Sequence, residues 1–250
     1  MLRLRQLVLA ATDLGAAVTD LRDLLGAGEP YRDPGVAAFG LVNAVLPAGG
    51  DFVEVVSPNA GGTAVSRWIA RHGGDGGYML MVDGPPALLA RTRLTDLRVR
   101  IVHEVVLSDI TDLHLHPKDV GGALLALDAV DPPGSWRWAG PSWTAPFGSG
   151  SPPATRGGLR SVTVAVDDPP AVALRWASIL DLPLAGATDL HLDGGQAVQF
   201  VGPTSRAGLR AGLRAGLGIV AATITLPVTQ SVSSVVAGVA FDVIPLEEPS

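Results

Sequence analysis

Glu54 stands in the middle of an apolar run, Phe52-Val-Glu-Val-Val56, where a carboxylate is costly unless it is partnered or solvated. That cost makes Glu54 the leading functional candidate; the alternative is a solvent-facing residue on an open strand. Asn43, on the strand beside Glu54, is a candidate polar contact for a substrate. His114 and His116 are separated by one residue on an alternating stretch, a spacing that points both rings to one strand face. With Glu54 they would make a two-histidine, one-carboxylate set suited to iron or another divalent metal. The competing readings for His116 are a substrate contact and a structural, hydrogen-bonded ring. His103-Glu104 is a poor acid/base pair, because adjacent strand residues face opposite sides of a sheet. Trp136, Trp138 and Trp143 place three of the five tryptophans within eight residues. Indoles suit a site for a flat or apolar ligand, with Trp138 the candidate contact; the other reading is a connector stapled between two halves of the fold.

The elements that must position these residues read as one unit written four times. Residues 4–11 form a strand, Asp13 caps a helix running to Leu25, and Gly26 and Gly28 end it. Strands over Ala38–Leu46 and Asp51–Val56 follow. A second copy has a strand over Tyr78–Val82, a helix over Pro85–Leu97, and strands over Val99–Leu107, Leu113–His116 and Ala123–Asp128. A third, shortened copy has a strand over Leu159–Val166, a helix over Pro170–Leu180, and strands near His191 and Val198–Val201. A fourth has a strand over Gly218–Leu226, a helix near Thr229–Val236, and a strand over Ala240–Ile244. Between the first two copies, Arg67, Trp68 and Arg71 lie at helical spacing. The glycine-rich turn holding His72 lacks the setting and the Gly-Lys-Ser/Thr ending of a phosphate loop. The Arg-Ala-Gly-Leu repeat beginning at Arg206 reads as a low-complexity connector.

A chain of 250 residues with 47% hydrophobic content can build a sizeable core. A net charge of -6 and scattered arginines argue against a nucleic-acid partner. With no cysteine, any metal must be held by nitrogen and oxygen ligands. Asp13 cuts the N-terminal apolar run at a length too short for a signal peptide or a spanning helix, so a cytoplasmic protein without a membrane partner is expected.

Three segments carry a family resemblance: Gln6-Leu-Val-Leu-Ala-Ala-Thr-Asp-Leu14, Phe52-Val-Glu-Val-Val-Ser-Pro58 and His116-Pro-Lys-Asp-Val-Gly-Gly-Ala-Leu-Leu-Ala-Leu127. Together they resemble the vicinal oxygen chelate superfamily of glyoxalases, methylmalonyl-CoA epimerases, extradiol dioxygenases and bleomycin-resistance proteins. Phe39-Gly-Leu-Val-Asn-Ala-Val-Leu-Pro47 and Gly73-Gly-Asp-Gly-Gly-Tyr-Met79 look like the glyoxalase-like proteins of actinobacteria. The resemblance implies an α+β fold of tandem βαβββ modules whose curved mixed sheets form bowls, the second half shortened. Residues 1–130 would form the first glyoxalase-like domain, from modules 1–58 and 76–130. Residues 131–157 would be a connector rich in Pro, Gly and Trp, and 158–250 a second, reduced domain.

Enzymes of this superfamily keep metal ligands on the first and last strands of paired modules. By resemblance those positions are Gln6, Glu54, Gly77 and Ala126, and only Glu54 is a strong ligand. The implied protein is a small-molecule-binding bowl with a degenerate metal site, holding an apolar or aromatic ligand, with Glu54 as its functional carboxylate and Gln6, Asn43, His116 and Trp138 as contacts. No cofactor is expected, a divalent metal being the lesser reading, and a homodimer is left open. The alternative is a lyase, isomerase or dioxygenase in which Glu54 abstracts a proton next to a carbonyl, assisted by Gln6 or His116.

Overall fold

The computed structural model describes residues 1–141, 143, 157–204 and 217–246. The Arg206 repeat lies outside the described residues. Strand β1 (Arg3–Ala10) leads into helix α1 (Leu14–Leu25). Asp13 starts that helix by accepting from the Ala16 N–H over 3.0 Å, and Gly26 ends it in the left-handed conformation, with φ of 61°. Ala17, Val18, Leu21 and Leu25 are its buried stripe. A 3-10 helix (Pro34–Phe39), strands β2 (Leu41–Ala48) and β3 (Asp51–Pro58) and helix α2 (Ala64–His72) follow. The second copy holds β4 (Gly76–Asp83), a 3-10 turn (Pro86–Leu89), α3 (Arg91–Asp96), β5 (Ile101–Val106), β6 (Ile110–Leu115), α4 (Pro117–Val120) and β7 (Leu124–Val130). The remaining strands and α-helix among the described residues are β8 (Gly158–Ala165), α5 (Pro169–Leu180), β9 (Asp189–His191), β10 (Ala197–Val201), β11 (Gly218–Leu226), β12 (Val232–Val236) and β13 (Val239–Pro245).

The fourfold repeat shows in the pairing. The first strand of each copy runs parallel to the last strand of the same copy: β1 with β3, β4 with β7, β8 with β10, β11 with β13. First strands then pair antiparallel, β1 with β4 and β8 with β11. One bridge, Ile219 to Gly77, joins β11 to β4, so the thirteen strands form a single curved, unclosed sheet. That junction explains the glycine: a Cβ on residue 77 would lie 2.4 Å from the Ile219 Cβ and 2.7 Å from its carbonyl oxygen.

Three elements differ from the sequence expectation. The helix expected near Thr229–Val236 is strand β12, because Val232-Ser-Ser-Val-Val236 is rich in β-branched residues and pairs edge to edge with β13. The helix expected over Pro85–Leu97 is broken at Ala90, whose extended backbone separates the proline-led 3-10 turn from α3. Ala38 and Phe39 belong to a 3-10 helix that Gly40 stops before β2 begins.

The two sheet faces bury different things. Leu7 and Leu9, Val53 and Val55, Leu80 and Val82 face the helices, in one apolar cluster that also takes Leu159, Val162, Trp176 and Phe241 from the C-terminal half. Val8, Phe52, Val56, Met79 and Met81 face the concave side, together with Trp136. Gln6 and Glu54 keep this parity and therefore face the bowl. Among the described residues no helix is long and apolar enough to cross a membrane.

Candidate functional site

Glu54 lies at the floor of a cavity of about 430 Å³ on the concave face. Each carboxylate oxygen accepts one amide N–H: Oε1 from Asn43 Nδ2 over 2.6 Å and Oε2 from Gln6 Nε2 over 2.7 Å. Both amides are themselves held in orientation. Gln6 Oε1 accepts from the Trp136 indole N–H over 2.7 Å, and Asn43 Oδ1 accepts from the Asp33 backbone N–H over 2.9 Å. The two amides therefore have only their N–H groups to offer Glu54. Burial pushes the Glu54 carboxyl up to about 7, and the Asn43 and Gln6 hydrogen bonds pull against that rise. A carboxyl so placed exchanges protons near neutral pH.

The facing wall comes from the β5–β6 hairpin. His103 and His114 are cross-strand partners with ring centroids 5.1 Å apart, and Phe39 meets His103 edge to face at 5.1 Å. Burial, then His114, lowers the pKa of His103. His114 Nε2 lies 3.0 Å from Asp112 Oδ2. Asp112 in turn is the cross-strand partner of the fully buried Asp128, whose Oδ1 accepts from the Trp138 indole over 3.2 Å. Burial, then the charge of Asp112, pushes Asp128 well above the usual carboxylate range. Between these walls the lining is apolar, with Val8, Val56, Met79, Met81 and Leu124.

Of the residues singled out in the sequence, Gln6, Asn43, Glu54 and Trp138 all line this cavity. His116 does not. Strand β6 ends at Leu115, and His116 instead caps α4, its Nδ1 accepting from the Lys118 N–H over 3.2 Å and lying 3.3 Å from an Arg100 nitrogen. His114 and His116 therefore share no face, and the set built from both with Glu54 does not form. The tryptophans divide their work within the first half of the fold. Trp136 and Trp143 lie against Phe52 and the Arg5 guanidinium, while Trp138 reaches the cavity. Asp112 and Asp128 are what sequence reasoning missed, and His103 was set aside there because it was weighed only with Glu104; the available signal was the hairpin itself, which sets His103 opposite His114. In α2, Trp68 stacks on His72 and meets Tyr78 edge to face.

No family model matches this sequence. The ethylmalonyl-CoA/methylmalonyl-CoA epimerase of Cereibacter sphaeroides is 26% identical over 134 residues, which cover 51% of this chain and 98% of that protein. A hypothetical protein from Staphylococcus aureus, of known crystal structure, superposes with a TM-score of 0.66 over 98% of this chain and 100% of its own, at 11% identity. The match to that epimerase is in keeping with the chain's resemblance to the vicinal oxygen chelate superfamily. A methylmalonyl-CoA epimerase of Streptomyces coelicolor, solved with 2-nitronate-propionyl-CoA, covers 52% of the chain at 22% identity and a TM-score of 0.45. The relative of named function is an epimerase, and nothing found supports the terms lyase, dioxygenase or bleomycin resistance.

Vicinal oxygen chelate enzymes are expected to hold a divalent metal, and the residues present do not fit one. Gly77 and Ala126 have no donor atom, and the Ile219 bridge leaves no room for a side chain at residue 77. Gln6 Oε1, the ligand atom an amide would offer, is turned to the Trp136 indole N–H, and its amide nitrogen to Glu54. Among the described residues no three His, Asp or Glu side chains come together around one point.

Proposed function

We propose that this protein uses its first bowl as a metal-free binding site for an apolar small molecule, with Glu54 as the polar anchor. The observation that carries this is the clamped Glu54 carboxyl at the bottom of a cavity whose lining is mostly apolar, with a few convergent polar groups, the usual form of a small-molecule site. Asn43, Gln6 and Trp138 are its supporting contacts. The test is titration of phenylnaphthylamine, a neutral fluorophore that brightens in apolar surroundings. Binding of one equivalent is expected, unchanged by EDTA or by added manganese, cobalt or zinc, and abolished by Leu124→Trp, which fills the cavity. Binding that requires a metal, or that survives the filled cavity, overturns the reading.

A second reading is a carbon-acid isomerase, and the proton affinity of Glu54 favours it, together with the epimerase relative. Glu54 would take a proton from the carbon next to a carbonyl and return one, while His114, steadied by Asp112, faces it from the other wall. Deuterium wash-in at that carbon of methylmalonyl-CoA in D2O, lost in Glu54→Gln, is the measurement that separates an isomerase from a binder.

A further inference from the structure

The charges around the cavity are one-sided. Three carboxyl side chains line it, Asp33, Glu54 and Asp112, and among the described residues no arginine or lysine does. Asp112 is 3% exposed, and its Oδ1 is a buried acceptor without a hydrogen-bond donor among the described residues. A buried carboxylate oxygen in that state is short of a donor or a positive charge. The arginines nearby lie outside the lining. Arg32 donates to the Asn43 carbonyl over 3.1 Å, and Arg67 to the Gly62 carbonyl; Arg71, on α2, is likewise outside the lining. Burial, then the neighbouring His114, lowers the pKa of His103, so that ring adds little positive charge at neutral pH. The aromatic share of the lining, Phe39, Tyr78 and Trp138, offers ring faces that attract cations.

We infer that the ligand of this bowl is an apolar amine carried as its ammonium ion, its cationic head set among Asp112, Glu54 and the aromatic rings. The inference rests on the small-molecule-binding reading and narrows it to a ligand class. It also separates the site from one built for an acid. A malonyl carboxylate would meet three carboxyl groups and, among the described residues, no arginine or lysine, and like-charge contacts in an apolar cavity are strongly unfavourable.

Three probes with one apolar body and different heads make the test. These are (naphthylmethyl)dimethylamine, protonated at neutral pH, its carbon isostere isobutylnaphthalene, and naphthylacetate. Affinities for the full chain follow from quenching of tryptophan fluorescence and from calorimetry. The amine should bind at least about tenfold more tightly than naphthylacetate, since one favourable against one unfavourable charge contact is worth that much even when well screened. The double variant Glu54→Gln, Asp112→Asn should weaken the amine about tenfold while isobutylnaphthalene changes by less than about twofold. Should Asp112→Asn fail to fold, Glu54→Gln with Asp33→Asn reads the same difference. Naphthylacetate binding as tightly as the amine, or an amine affinity indifferent to these neutralisations, overturns the inference and leaves the apolar bowl standing. Failure of all three probes to bind removes the binding reading itself, and the inference with it.

Discussion

Asn43 Nδ2 donates to Glu54 Oε1 over 2.6 Å, from one strand of the β2–β3 pair to the other. A donor aimed at a carboxylate favours its charged form, so this bond opposes the burial that raises Glu54 to about 7. Asn43→Ala should therefore move the Glu54 titration to higher pH. Carbon-13 NMR of the Glu54 side-chain carboxyl reads this directly. A titration that stays in place or moves lower would mean that the amide plays no part in setting the proton affinity.

The same shift fixes a pH dependence of stability. Glu54 titrates near 7 in the folded chain against an ordinary value of 4.5, so the folded state holds the extra proton between those limits. Stability linked to this group is fully present below pH 4.5, falls as the pH rises to 7, and stays at the lower level above that. Asp83, raised by burial to about 6, acts in the same direction. Glu54→Gln removes its share, and the variant should gain on the wild type by up to about 3 kcal/mol between pH 4.5 and pH 8. Urea denaturation of both proteins across that range checks it. Parallel pH profiles would show that Glu54 is ionised in the native state throughout.

The parts legible in the sequence are those governed by local periodicity. The alternation of Phe52, Glu54 and Val56 with Val53 and Val55 is enough to send the carboxylate to the face opposite the helices, and Asp13 and Gly26 bracket α1 without reference to anything distant. What was not legible depends on pairing across strands. His103 gains its place from His114 on the next strand, and Asp128 from Asp112 and Trp138. His116 was misplaced for a local reason, since Pro117 opens a helix and turns its histidine into a cap. Strand β12 was missed because the helical reading gave too little weight to its β-branched valines and none to their pairing with β13.

Gly77 is fixed by the strand beside it. The Ile219 side chain and carbonyl occupy the space that a Cβ would need, and backbone there cannot rotate away as a flexible side chain could. Gly77→Ala should destabilise the chain by about 1–3 kcal/mol through overpacking at this bridge. Restoring a histidine at the same position should be worse and should not create metal affinity. Thermal melting of the two variants, with and without zinc, tests both statements. A Gly77→His protein of wild-type stability that binds zinc would show that the β4–β11 bridge yields easily.

Asp51 ties the N-terminal strand to the C-terminal half. Its Oδ1 pairs with Arg3, with an Arg5 nitrogen 3.6 Å away, while its Oδ2 accepts from the Leu159 N–H over 3.0 Å and from Gln196 Nε2 over 3.1 Å. Gln196 closes the loop by accepting from the Leu4 N–H over 2.8 Å. Every group in this knot is buried, so each partner left behind after removal of the carboxylate keeps its desolvation cost. Asp51→Ala should therefore destabilise the fold by about 3–5 kcal/mol, the range for breaking a buried pair from one side. The loss should be larger than that of Asp119→Ala, whose partner Arg100 is exposed and can return to water. Urea unfolding of the two variants makes the comparison, and amide hydrogen exchange at Leu4 and Leu159 localises it. Equal losses in the two variants, or unchanged protection at those amides, would show that the halves are held together by apolar packing alone.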